Sequence, residues 1–327
     1  MQGLAMKAIQ VTKHGGPEVL SYTDVPTPEP GPAEALVKID ATGVNFIDIY
    51  FRTGLYKAEP PFILGQEAAG VVEKVGAGVT SLKPGDKVAY ASVRGTYAEY
   101  HAVAADKLVK VPDGVDTKLA AALMLQGMTV HYLTHSTYAL KPGDTCLIHA
   151  AAGGVGLLAV QVAKMRGATV IGTCSTEEKA ANVREAGADH VILYSKEDFV
   201  ARVKQITGGK GVEVAYDGVG QSTWEGSLNC LKPRGMLVCF GNASGPVPPI
   251  DPLRLSAGGS LFLTRPTLAH YTATREELEW RATDLLNWVR DGKLDVRIGQ
   301  EYALSEAGQA QTDLASRKTS GKLILIP

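Results

Sequence analysis

Thr145-Cys146-Leu147-Ile148-His149, then Ala150-Ala151-Ala152-Gly153-Gly154-Val155-Gly156, then Leu157-Leu158-Ala159-Val160-Gln161-Val162-Ala163-Lys164 is the stretch that decides the fold. An apolar run, a glycine-rich turn and a helix-forming run make the unit that seats a pyrophosphate on backbone N–H groups at the positive end of a helix dipole. Glycines also serve ordinary tight turns, so context has to carry the reading. A second apolar run, Ala168-Thr169-Val170-Ile171-Gly172-Thr173-Cys174, follows the helix. That is the spacing of a β-α-β unit of roughly 30 residues. The pattern predicts a dinucleotide-binding chain.

The tip of the second strand indicates which dinucleotide. An NAD site usually carries a carboxylate roughly 20 residues past the glycines, where it accepts from the ribose hydroxyls and repels a 2′-phosphate. Here the tip reads Thr173-Cys174-Ser175-Thr176, with Lys179 one turn into the next helix. Hydroxyl donors and an ammonium suit a phosphate, so NADPH is expected over NADH. Glu177 and Glu178 fit the first turn of a helix, where the dipole favours acids, and from there they can point away from the ribose. Ser175 also suits a helix cap.

Working outward, 327 residues allow two domains with buried cores, and 45% hydrophobic content is that of an ordinary globular chain. With 33 basic and 34 acidic residues the net charge is -1. No overall positive field draws the chain to nucleic acid or an anionic membrane. No apolar run approaches the roughly 20 residues of a membrane span, and no secretory signal opens the chain, so a cytoplasmic protein is expected. Cys146, Cys174, Cys230 and Cys239 sit in or beside apolar segments without paired spacing, as reduced core thiols do. Met6-Lys7-Ala8-Ile9 reads as the natural opening of the first strand, with Met1 to Ala5 an added or alternative start.

Three parts follow one another. Residues 1–127 hold short β-like runs (Lys7 to Thr12, Glu34 to Ala41, Ala68 to Val75, Lys87 to Ala91, Tyr97 to Val103) divided by glycine and proline, which predicts a barrel-like β domain. Residues 128–265 alternate strands and helices, which predicts a doubly wound parallel sheet and an α/β fold class. Residues 266–327 hold a helix over Arg275 to Asp291, an extended Val296 to Tyr302 and a last strand Gly321 to Ile326, expected to return to the β domain. Lys83-Pro84-Gly85-Asp86 and Lys141-Pro142-Gly143-Asp144 each precede an apolar run and read as strand-launching turns.

These residues resemble a family. His14-Gly15-Gly16-Pro17-Glu18-Val19-Leu20, Gly43-Val44-Asn45-Phe46-Ile47-Asp48, Gly65-Gln66-Glu67-Ala68-Ala69-Gly70, the Ala150 to Gly156 turn, Tyr216-Asp217-Gly218-Val219-Gly220 and the ending Gly321 to Pro327 are similar to the zinc-free NADPH:quinone oxidoreductases related to zeta-crystallin, within the medium-chain dehydrogenase/reductase superfamily. The resemblance spans essentially the whole chain. It implies a GroES-like β-barrel catalytic domain split between the two chain ends, a Rossmann nucleotide domain between them, and a cleft where nicotinamide meets an electron acceptor.

Zinc-dependent relatives place a cysteine in the loop read here as Gly43-Val44-Asn45 and a histidine before the glutamate of Gly65-Gln66-Glu67. Neither ligand is present, no four-cysteine lobe exists, and His131 and His135 are the only histidines one helical turn apart. No metal site is expected. Without a Lewis acid, alcohol oxidation loses its main driving group, whereas a quinone is already electrophilic. The protein then has to bind cofactor and acceptor face to face and exclude water.

Site residues follow from the resemblance. Asn45, Asp48 and Tyr50 match positions lining the nicotinamide end, with Tyr56 and Gln66 in adjacent loops. Asn45 would hydrogen-bond a quinone oxygen or a nicotinamide ribose, and Tyr50 or Tyr56 would donate to a developing oxyanion. Asp48 equally suits a helix cap, and the tyrosines equally suit core aromatics. Thr129 resembles a residue near the nicotinamide. Gly153, Gly154, Val155 and Gly156 match the pyrophosphate turn, and Ser175, Thr176, Lys179 and Tyr194 the adenosine phosphate. Phe240, Gly241, Asn242, Thr264 and Arg265 match strand ends at the nicotinamide side, and Arg317 an arginine approaching the cofactor.

Gly259 to Thr264 would be an edge strand inviting a second copy, so a homodimer is expected. The expected partner is a small quinone. A reductase of α,β-unsaturated aldehydes or ketones would share fold, cofactor and lack of zinc. A non-catalytic binder of NADPH or of single-stranded nucleic acid is disfavoured by the near-neutral charge and the lack of a basic tract interleaved with aromatics.

Overall fold

The two Lys-Pro-Gly-Asp tetrapeptides make the same turn. In the computed structural model, which describes residues 5–327, Asp86 N–H donates to the Lys83 carbonyl and Asp144 N–H to the Lys141 carbonyl, each at 3.1 Å. Gly85 and Gly143 take φ of +92° and +89°. Proline then glycine of positive φ across such a bond is a type II turn, whose third position excludes most side chains. The aspartate locks it, Oδ2 accepting from Lys83 N at 3.1 Å and from Lys141 N at 2.9 Å. A strand leaves each turn at once, beginning at Lys87 and at Thr145.

In chain order the first strands are β1 (Ala5–Val11), β2 (Leu20–Pro26), β3 (Glu34–Val44), β4 (Phe62–Ile63), β5 (Glu67–Val75), β6 (Lys87–Ala91), β7 (Tyr100–Ala104) and β8 (Val109–Lys110). Helices α1 (Phe46–Thr53) and α2 (Thr117–Tyr132) accompany them. Then come β9 (Thr145–Ile148), α3 (Gly154–Met165), β10 (Thr169–Cys174), α4 (Glu177–Glu185), β11 (His190–Leu193), α5 (Phe199–Ile206) and β12 (Val212–Asp217). The series continues with α6 (Trp224–Asn229), β13 (Leu231–Cys239), α7 (Leu253–Ala257), β14 (Phe262–Thr264) and α8 (Leu268–Tyr271). The chain closes with α9 (Arg275–Arg290), β15 (Ile298–Ala303), α10 (Ala307–Ala315) and β16 (Lys322–Ile326).

Two compact units result, one built from the chain up to Met128 together with Thr272–Pro327, the other from Thr129–Tyr271. The first carries a three-stranded sheet ordered β2-β1-β4 and a larger one ordered β15-β16-β3-β5-β6-β8, with β7 also paired to β3. Main-chain bonds from Ile9 N to Tyr97 O (2.8 Å) and from Ile39 N to Glu99 O (2.9 Å) stitch them together. Ile9, Val11, Leu64, Tyr97, Leu323 and Leu325 fill one core. The C-terminal strand therefore lies inside this sheet, between β15 and β3.

The second unit is one parallel sheet ordered β11-β10-β9-β12-β13-β14. The order reverses direction at β9, so the segment leaving β9 stands at the topological switch point, where ligands bind in such sheets. Its apolar runs are buried on both faces. The expected edge strand from Gly259 is shorter in the structure. Gly259 (φ +108°) and Ser260 (φ +58°) turn the chain, and extended pairing begins only at Phe262. Met1 to Leu4, part of the segment read as an added start, lie outside the described residues, and Ala5 already pairs with Pro26.

Candidate active site

The glycine turn is shaped by two neighbours. Ala150 takes φ of +50°, kinking the chain out of β9, and Ala151 N–H donates to the Thr173 carbonyl of β10 (2.9 Å). Gly153 caps α3, with no side chain accepting from the first turn. Its N–H groups are thus left for an anion beside the positive end of the dipole. At Gly156 a Cβ would stand 2.4 Å from the Ala150 carbonyl oxygen, so only glycine lets the helix lie so close to the turn. Gly153, Gly154 and Val155 are partly exposed, as a phosphate-binding turn requires.

At the tip of β10 the helix cap is Thr176, whose hydroxyl accepts from Lys179 N (3.3 Å). This settles the alternative left open for Ser175, whose carbonyl accepts from Ser195 Oγ (2.7 Å) while its hydroxyl is not the cap. Tyr194 N–H donates to the Cys174 carbonyl (3.2 Å), which fastens the tip of β11 beside that of β10. The Tyr194 ring is 47% exposed. Partial burial lowers the Lys179 ammonium pKa, against the raising fields of Cys174 and Glu178. Glu177 pairs with Arg184 along α4 (3.5 Å), which turns its carboxylate down the helix. Hydroxyl, ammonium and exposed ring together fit a phosphorylated adenosine, and the amide-rich turn from Gly153 to Gly156 fits a pyrophosphate.

The remaining strand ends join the same carboxyl edge. Phe240 N–H donates to the Asp217 carbonyl (2.9 Å), and Gly241 packs so closely on Gly218 that a Cβ would meet its carbonyl oxygen at 2.3 Å. Arg265, just past Thr264, donates from Nη1 to the Cys239 carbonyl (2.9 Å). With its amide turned to satisfy both neighbours, Asn242 accepts from Arg265 Nη2 (3.3 Å) and donates to the Gly241 carbonyl (2.9 Å). Thr129 is buried inside α2, an interior threonine rather than an N-cap.

In the other unit Asn45 and Asp48 are buried and turned inward. Asn45 caps α1 and Asp48 completes the capping box, its Oδ2 accepting from Asn45 N–H and from the Tyr97 hydroxyl, both at 2.9 Å. Asp48 Oδ1 has no partner. Burial pushes the Asp48 carboxyl up to about 7, with bonds from Asn45 and Tyr97 and the field of Lys322 pulling back. The Asn45 amide is also engaged within the unit. Nδ2 donates to Glu67 Oε1 (2.7 Å), while Oδ1 accepts from Lys322 Nζ (2.7 Å) and Gln126 Nε2 (3.3 Å). All of the amide's hydrogen-bonding groups have partners inside the unit, Nδ2 also facing the Gly43 carbonyl at 3.4 Å.

The centre of that network is a buried ion pair, Lys322 with Glu67, 1% and 0% exposed. Glu67 Oε2 also accepts from Leu125 N (2.6 Å), and a Cβ on Gly43 would overlap its carboxylate. Neither residue has a role in the sequence analysis, where Glu67 stands in a family landmark and Lys322 inside the last strand. The usable signal was a lysine inside the apolar strand Leu323-Ile324-Leu325-Ile326, where an unpaired charge does not survive. Tyr50 and Tyr56 stack edge-on at 5.2 Å, Tyr56 against Phe51 at 5.7 Å. Gln66 is buried, its carbonyl accepting from Ser92 N (2.8 Å). Arg317 sits in the turn after α10 at φ +58°. His131 and His135 stack face to face, centroids 4.2 Å apart, and among the described residues no three His, Cys, Asp or Glu side chains cluster as metal ligands.

Comparison with known proteins agrees with this architecture. Residues 31–113 match the family described as alcohol dehydrogenase GroES-like domain, and residues 154–288 that described as zinc-binding dehydrogenase. A quinone oxidoreductase of Pseudomonas aeruginosa is 51% identical over 98% of this chain and 99% of its own. A 2-haloacrylate reductase of a Burkholderia species is 44% identical over 99% of each. The crystal structure of Escherichia coli quinone oxidoreductase complexed with NADPH superposes with a TM-score of 0.96 at 47% identity, covering 98% of this chain and all of that one.

Proposed function

Because the chain belongs to the quinone oxidoreductase family of the medium-chain dehydrogenase/reductase superfamily, we propose that it reduces quinones with NADPH and without a metal. The observation that carries the cofactor half is the carboxyl edge of the parallel sheet, with a side-chain-free helix start after β9 and Ser175, Lys179 and Tyr194 grouped at the tips of β10 and β11. The bound cofactor supplies the hydride. The turn from Gly153 to Gly156 holds its pyrophosphate, Ser175 and Lys179 its 2′-phosphate, and Phe240, Gly241, Asn242, Thr264 and Arg265 bound its nicotinamide end. Thr129 and Arg317 are assigned to the cofactor by resemblance. Tyr50, Tyr56 and Gln66 orient the acceptor, and Asn45 and Asp48 support them by fixing the start of α1.

The 44% identical 2-haloacrylate reductase favours a second reading, reduction of an activated alkene by the same hydride. Homodimerisation through β14 is supported by its outer position and by the exposure of Phe262 and Leu263. The four free, buried cysteines suit a reducing cytoplasm, and among the described residues no helix is long and apolar enough to cross a membrane.

The test is NADPH oxidation with benzoquinone, a naphthoquinone, a medium-chain enal and 2-chloroacrylate, with NADH in parallel. Turnover fastest with quinone and NADPH is expected. The pair Ser175→Ala and Lys179→Ala should raise KM for NADPH about tenfold or more while leaving that for NADH nearly unchanged, the loss of charge-assisted bonds. Turnover on the alkenes alone would move the function to the second reading.

A further inference from the structure

Four buried side chains form a hydrogen-bonded row under the carboxyl edge of the central strands. His149, which follows β9, places Nδ1 3.0 Å from Thr173 Oγ1 of β10 and Nε2 2.9 Å from Ser227 Oγ of α6. Ser227 Oγ lies 2.9 Å from Asp217 Oδ2, at the end of β12, and 2.8 Å from the Thr223 carbonyl. Asp217 Oδ1 accepts from Val219 N (2.9 Å), Gly220 N (3.0 Å) and Thr223 Oγ1 (2.9 Å).

Proton counting orders this row. Ser227 has one proton and two neighbours that only accept, the Asp217 carboxylate and the Thr223 carbonyl. If it gave the proton to His149, bare oxygens would face each other at hydrogen-bond distance on both sides. Ser227 therefore donates to one of those oxygens and accepts from His149 Nε2–H. Burial holds the imidazole neutral against the field of Asp217. Nδ1 then carries a lone pair and accepts the Thr173 hydroxyl. The row runs Thr173 to His149 to Ser227 to Asp217, each donor used once, and such chains reinforce their members.

We infer that His149, fixed as the neutral Nε2–H tautomer, is the positioning residue of the cofactor edge, tying the strand end that opens the glycine turn to the one that leads into Ser175. The inference rests on the proposed NADPH site. Thr173 is one residue from Cys174 and two from Ser175, and the backbone bond from Ala151 to Thr173 closes the same junction from above. Losing the side-chain tie frees the two phosphate-binding segments to move separately, which weakens a ligand that must touch both.

The experiment combines ¹⁵N-histidine NMR of the full-length protein, with His149 assigned by its absence from His149→Gln, and NADPH titration of the near-isosteric Thr173→Val. The expected result is a protonated Nε2 and bare Nδ1 in the parent, with NADPH bound about five- to tenfold more weakly by Thr173→Val at unchanged saturated kcat, the effect of one buried hydrogen bond. An Nδ1–H tautomer or an imidazolium at neutral pH overturns the inference. So does a Thr173→Val protein that binds NADPH as the parent does. A parent protein that does not bind NADPH at all overturns the proposed cofactor itself, a failure distinct from that of the inference because the NMR arm reads the tautomer without any cofactor.

Discussion

Asp48 and Glu67 are two fully buried carboxyls that solve the same problem differently. Glu67 takes Lys322 as partner, whereas Asp48, with one oxygen unpartnered, is pushed by burial towards its protonated form. Because the folded pKa of Asp48, about 7, exceeds its ordinary value of 3.8, the fold binds the extra proton between those values. Its contribution is therefore present at acid pH and lost as pH rises towards 7. His101 acts in the opposite sense: burial pushes it down to about 4, so its contribution is lost as pH falls below 6.5. The depressed imidazoles of His101 and His149 contribute alike to the parent and to Asp48→Asn, so they cancel in a comparison of the two. The stability of the parent relative to this variant should fall with rising pH, by up to about 1.4 kcal/mol per unit between pH 5 and 6.5, as measured by urea unfolding across that range. For the ion pair, Lys322→Met should cost about 3–5 kcal/mol by stranding Glu67, and adding Glu67→Gln should recover part of it. Additive losses in denaturant midpoints would show that the two side chains do not depend on each other.

At the scale of elements, what could be read in advance was whatever is local. The β9-turn-α3 unit and the strands of the parallel sheet are apolar runs bounded by turn residues, and they form where their pattern puts them. Strand β2 went unread because Leu20-Ser21-Tyr22-Thr23-Asp24-Val25-Pro26 lies mostly exposed or half-exposed and lacks an apolar stripe. The inward turn of Asn45 was equally hidden, since its partners Glu67, Gln126 and Lys322 are 22, 81 and 277 residues away. The repeated turns provide a clean test of local coding. Gly85 and Gly143 have positive φ, yet an added Cβ at either would meet nothing within 4 Å. Alanine at each should cost only the left-handed backbone, about 1–2 kcal/mol. The costs should add in the double variant, as for distant independent sites. Denaturant midpoints check both statements, and a strongly sub-additive double variant would mean that the turns share a transition.

For the whole molecule, the proposed assembly turns on the outer strand of the parallel sheet. Strand β14 is only three residues long, pairs with β13 alone and exposes 55% of Phe262 and 36% of Leu263. Under the proposed dimer, Leu263→Lys should shift the protein to monomer in sedimentation, because charges on an edge block strand addition. An unaltered dimer would place the interface elsewhere.

The position of β16 also sets an order of events during synthesis. The Glu67 carboxylate emerges from the ribosome 255 residues before the ammonium that pairs with it, and β16 must slot between β3 and β15 after all the preceding strands have been made. The segment from Thr129 to Tyr271 has all its strands by then and can fold while the chain is still growing. The unit that holds both β1 and β16 is completed after that segment, and the emergence of β16 supplies the cation that lets its interior close.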